Sequence, residues 1–87
     1  MYWKSTTSGY HAVMLSSNIE LRIGYNYPNR VWEMKLYIYL GDHCLRTSKN
    51  LPDVEYLDDA KQKAVTEADT ILAELKIVLR TYSRRKK

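Results

Sequence analysis

The chain has no phenylalanine, a single cysteine, two prolines, three glycines and no long apolar run. Each shortage excludes something. Without phenylalanine, the aromatic content rests on eight tyrosines and two tryptophans. A buried tyrosine hydroxyl needs a partner, so most of these rings are expected at or near the surface. Cys44 alone rules out an internal disulfide and suits a reducing compartment such as cytoplasm. Gly9, Gly24 and Gly41 are too scattered to build a phosphate-cradling loop. No stretch approaches the ~20 apolar residues of a membrane span. The segment Met1-Tyr2-Trp3-Lys4, followed by Ser5 to Ser8, lacks the apolar centre of a signal peptide. With 87 residues, a single domain over 1–87 is expected, burying roughly 60–65% of its unfolded surface and leaving little room for a deep catalytic cleft.

What is present begins with charge. The net value of +4 and a pI near 9.2 suggest a nucleic-acid binder. Yet Arg80, Arg84, Arg85, Lys86 and Lys87 supply five of the fourteen basic residues, and residues 1–79 hold nine basic against ten acidic side chains. The body is close to neutral. The basicity is a tail over 83–87, expected to be flexible, whose Arg84, Arg85, Lys86 and Lys87 form a secondary binding candidate for phosphates or an acidic partner.

Hydrophobic periodicity predicts an α+β domain: an antiparallel sheet of about four strands in meander order, packed on one long C-terminal helix. Over Val31–Leu40, Trp32, Met34, Leu36, Ile38 and Leu40 alternate with Val31, Glu33, Lys35, Tyr37 and Tyr39, the mark of a half-buried strand. Ile19, Leu21, Ile23, Tyr25 and Tyr27 alternate with polar residues in the strand before it, and Pro28-Asn29 suits the reversal between them. Gly41-Asp42 fits a two-residue hairpin loop. That loop sets Leu45 inward and places Cys44 and Arg46 on the Tyr37/Tyr39 face. A further strand is expected at Tyr10–Leu15, with Trp3 adding a short edge strand or capping the core.

From Leu57 the period changes to three and four. Leu57, Ala60, Ala64, Ala68, Ile71, Leu75, Val78 and Tyr82 define a helix of roughly seven turns. Acids at Asp53, Glu55, Asp58 and Asp59 and bases at its far end match the helix dipole. Asp59 and Lys63 are spaced for an (i, i+4) pair.

Catalysis and metal binding find little support. His11, His43, Cys44 and Asp42 are the candidates, but adjacent residues on a strand point to opposite faces, so His43 and Cys44 cannot cooperate directly. No catalytic residue, metal ligand or cofactor is assigned. The acidic group at the helix start reads as dipole complementarity or as a mimic of phosphates. If the helix covers the Trp32/Met34/Leu36/Ile38 side, the opposite face is more informative, carrying Tyr37, Tyr39, Arg46, Arg22 and Lys35; if it covers the other side, these residues are core. Tyrosine and arginine anchor interfaces because they bury large areas at low entropic cost. The same residues form a stacking platform for single-stranded nucleic acid or a solvated face of good β-formers. Glu20 and Glu33 dilute the positive field there.

The string Leu57-Asp58-Asp59-Ala60-Lys61, following strands that end at Leu45 and Thr47, resembles small phage and prophage proteins in which a β-meander feeds a helix. The likeness covers residues 31–75. The sheet and helix are also similar to antitoxins of the HicB type, without the aromatic-Pro-Gly stretch expected near Leu51-Pro52-Asp53. The phage resemblance implies a non-enzymatic inhibitor of anti-CRISPR or host-takeover type, a monomer or homodimer that occludes a host protein complex. The alternative is a small nucleic-acid-binding protein using the tyrosine/arginine face and the basic tail.

Overall fold

The computed structural model describes residues 2–85, with side chains described through 76. Five strands precede one helix: β1 (Lys4–Ser5), β2 (His11–Ser16), β3 (Ile19–Asn26), β4 (Val31–Leu40), β5 (His43–Leu51) and α1 (Leu57–Arg85). The strands lie side by side in chain order, each antiparallel to the next. The fold is therefore α+β with a five-stranded meander, one strand more than the sequence pattern suggests. The additional strand is β1, two residues beside Trp3, too short to show a period. The strand after Gly41-Asp42 also runs on to Leu51 rather than ending near Thr47.

Local chemistry sets the turns. Gly41 takes φ +60° in the two-residue loop that pairs Leu40 with His43, a conformation costly for a residue with a Cβ. Between β3 and β4 the chain turns through Tyr27–Arg30. The Arg30 amide donates to the Tyr27 carbonyl at 3.3 Å, and the Asn29 amide to Asn26 Oδ1 at 3.2 Å.

The helix covers the Trp32/Met34/Leu36/Ile38 face of β4. Val13, Leu21, Ile23, Met34, Leu36 and Leu51 are buried there against Ala60, Ala64 and Ala68. The alanines recur every four residues on one helical stripe and let the helix backbone lie close to the sheet. Burying one of the larger side chains contributes roughly 1.5–3 kcal/mol. Three contacts fix the helix and the link that leads into it. Trp32 Nε1 donates to the Glu55 carbonyl at 3.2 Å, Lys49 Nζ meets Glu67 Oε2 at 2.6 Å, and the Lys61 ammonium lies 5.6 Å from the centre of the Trp3 ring. Trp3 thus packs on the core just before the edge strand.

Lys63 does not pair with Asp59. It donates to the Pro52 carbonyl at 2.6 Å, closing the link that leads into the helix. A backbone acceptor held in place by the chain outcompetes a mobile carboxylate on the solvent side. At ~1.5 Å per residue, the 29-residue helix is about 43 Å long, whereas ten-residue β4 spans about 33 Å. Among the described residues, its partners in the core run from Leu57 to Leu72. Arg84 and Arg85 fall in the helix with side chains outside the described residues, and Lys86 and Lys87 lie outside them altogether.

Candidate functional site

With the helix on one face, β-sheet register decides what the other face presents. Three cross-strand rows stand side by side: Ala12–Arg22–Lys35–Ser48, Met14–Glu20–Tyr37–Arg46 and, at the hairpin end, Tyr39–Cys44. All five residues expected on this face, Tyr37, Tyr39, Arg46, Arg22 and Lys35, are brought together there. Cys44 and Arg46 fall opposite Tyr39 and Tyr37, as the two-residue loop requires.

The centre of the face is an ordered stack. The Arg22 guanidinium lies between two rings, 5.2 Å from the centre of Tyr10 and 4.5 Å from that of Tyr37. Tyr39 continues the series, its ring 6.5 Å from Tyr37 and tilted by only 13°. Glu20 ties the stack from below. Its Oε1 accepts from Arg22 Nε at 2.7 Å and from the Tyr39 hydroxyl at 3.3 Å, while Arg22 Nη1 donates to the Tyr10 hydroxyl at 3.3 Å. Glu20 therefore organises the cation it was expected only to offset. Lys35 and Glu33 make a loose pair at 3.9 Å. Arg46 has no carboxylate within ion-pair distance among the described residues.

The stack alters the acidity of its members. Burial works against the charged Arg22, but the hydrogen bond and charge of Glu20, with Tyr10 and Tyr37, outweigh it and hold the guanidinium above its ordinary range. The Tyr39 hydroxyl is raised from its ordinary 10.0, first by desolvation and then by the Glu20 charge, with Arg22 opposing. A raised tyrosine favours the protonated form in the fold. The stability that it contributes is complete below the unfolded value and lost as pH climbs through the folded one. Glu20→Gln is expected to lower the pH at which Tyr39 ionises, followed by NMR of ring-labelled tyrosine against Tyr39→Phe as the assignment control. An unchanged Tyr39 titration would show that the carboxylate does not act on it.

Two hollows flank the ridge made by Lys35 and Tyr37. The larger, about 450 Å³, is bounded by Tyr10, Arg22, Gly24, Tyr27, Glu33 and Tyr37. Gly24 stands opposite Glu33 on this face, and its missing side chain leaves the space open. A Cβ built there would meet only the Tyr10 Cβ, at 3.4 Å. The smaller hollow, about 210 Å³, lies among Lys35, Tyr37, Arg46, Thr47 and Ser48.

Sequence reasoning missed Tyr10 and Gly24. Tyr10 precedes the strand by one residue and reaches Arg22 across a pairing that shifts register between Met14 and Ser16. A single glycine among alternating residues was the available signal for the larger hollow, since an interior-strand glycine often marks close approach of another group. No cluster of three or more His, Cys, Asp or Glu is arranged to hold a metal ion among the described residues. No helix there is long and apolar enough to cross a membrane. Comparison with protein-family models, with curated proteins and with solved structures gives no match for this chain.

Proposed function

We propose that the protein is a non-enzymatic binding protein whose outer sheet face docks on a protein surface. In the manner of the small phage-encoded inhibitors it resembles, it would block a nucleic-acid-processing or defence complex of a bacterial host by steric occlusion. The observation that carries this reading is the Tyr10–Arg22–Tyr37 stack tied by Glu20. Ordered aromatic and guanidinium groups lose little freedom on binding, which is the usual reason that such residues dominate interfaces. The hollows on either side of Tyr37 leave that ring as a ridge able to enter a complementary surface. Glu20 already neutralises the most central cation, which leaves a mixed field suited to protein more than to phosphate.

A second reading rests on a different observation. The nearly parallel Tyr37 and Tyr39 rings beside Lys35 and Arg46 offer stacking surfaces to single-stranded nucleic acid. The basic residues near the C-terminus would strengthen it.

Affinity capture from bacterial lysate, with and without nuclease, separates the two. The inhibitor reading expects a protein complex retained near stoichiometrically after nuclease. Tyr37→Ala combined with Arg46→Ala should cut that capture at least tenfold, as hot-spot truncations do, while the melting temperature changes little. Nucleic acid alone, released by nuclease or by high salt, would establish the second reading instead.

A further inference from the structure

The sheet's two edges are unlike each other. β1 is two residues long, whereas β5 at the opposite edge has nine, and every residue from His43 to Asn50 is exposed. Its pairing with β4 runs unbroken from Leu40↔His43 to Trp32↔Leu51. In a two-residue hairpin the closing pair exchanges both backbone hydrogen bonds. The odd-numbered residues of β5 therefore turn their N–H and C=O groups toward β4, and Cys44, Arg46, Ser48 and Asn50 turn theirs away from the sheet. The far side of β4 agrees with this phase, because the Tyr39 amide donates across to Asn18 on the β3 side at 2.8 Å. Among the described residues nothing bonds to these outward groups, and the four residues present a row of donors and acceptors.

Proteins usually blunt such an edge with proline, a bulge, inward-pointing charge or a covering segment. β5 contains no proline and no shift of register. Of its two cations, Lys49 is the strand's one inward-pointing charge, and Glu67 neutralises it on the helix side. Arg46 stands on the outer face, with no acid anywhere in the strand. Lys35 lies directly across from Ser48 but is loosely paired with Glu33, so Arg46 carries the positive charge of this border.

We propose that the free edge of β5 is a docking site for an extended acidic strand of a partner protein, joined to the sheet by backbone hydrogen bonds. Main-chain pairing supplies the attachment in this mode, and alternate side chains supply the preference. An acid on the outer side of the added strand would sit beside Arg46, and nine residues give about 30 Å of pairing length. A second copy fits less well, since symmetric edge pairing gathers the Arg46 and Lys49 side chains of two acid-free strands. The inference concerns the sheet edge and stands whether or not the outer face binds a protein.

The test uses the full chain and a nine-residue peptide alternating glutamate and valine, read by residue-resolved amide hydrogen exchange. Saturating peptide is expected to slow the Cys44, Arg46, Ser48 and Asn50 amides at least tenfold, leaving the alternate positions unchanged. Ser48→Pro removes one outward N–H without touching the β4 ladder and should weaken the peptide at least tenfold. Should that variant unfold, Arg46→Glu serves instead and is expected to shift preference toward the same peptide with lysine for glutamate. Tyr37→Ala should leave the exchange pattern intact, separating this edge from the outer face. Three results would overturn the proposal: no alternating protection, equal effects from a proline-interrupted acidic peptide, or protection that grows with protein concentration in the absence of peptide.

Discussion

Leu36→Ala is expected to remove a large share of the protein's stability, about 2–5 kcal/mol out of roughly 4–13 kcal/mol for a chain of this size. Leu36 is wholly buried in β4, paired with Leu21 on one side and Thr47 on the other. The top of the stated range applies because of what lies above it. Ala60, Ala64 and Ala68 have no side-chain length with which to fill a void. The sheet beneath is held by its ladders, so the cavity stays open. Leu45→Ala is the control: it lies on the same face but is 48% exposed, and should cost less than about 1 kcal/mol. Urea midpoints for the two variants measure the difference. Equal losses would mean that the alanine stripe is not a close contact.

Gly24→Leu is expected to separate binding from folding. A glycine inside a strand costs roughly 0.5–1 kcal/mol relative to alanine, and the position has room for a Cβ beside Tyr10. Melting temperature should therefore hold or rise. The leucine side chain would project into the hollow bounded by Tyr10, Arg22 and Tyr37. If the outer face docks on a protein, filling that space should weaken capture roughly a hundredfold, the scale of a lost hot spot. Undiminished capture with a raised melting temperature would remove this hollow from the interface.

Much of the architecture was legible because half-buried elements must alternate. The β4 pattern, the Gly41-Asp42 loop and the change of period at Leu57 each required a particular backbone, and the structure has all three. The far half of β5 was not legible for the converse reason. Thr47, Ser48, Lys49 and Asn50 are exposed on both faces of an edge strand, so no apolar period marks them. The five face residues were legible as a set, since register follows from one hairpin. Their organisation was not. Which cation Glu20 holds, and which ring covers it, depends on side-chain geometry across three strands, and Tyr10 joins only through a shifted pairing.

The meander has a bearing on how the chain is made. Every strand pairs with its predecessor in sequence, so the sheet can assemble in order as the polypeptide leaves the ribosome. The helix follows the sheet in the chain, and its Ala60, Ala64 and Ala68 pack over the core that holds Leu21, Met34 and Leu36. At about 5–20 residues per second, the stretch from Leu51 to Leu72 takes roughly 1–4 s to synthesise. Until the helix has followed and docked, the sheet shows its apolar side bare, a window in which a chaperone could engage the chain or neighbouring chains could stick together.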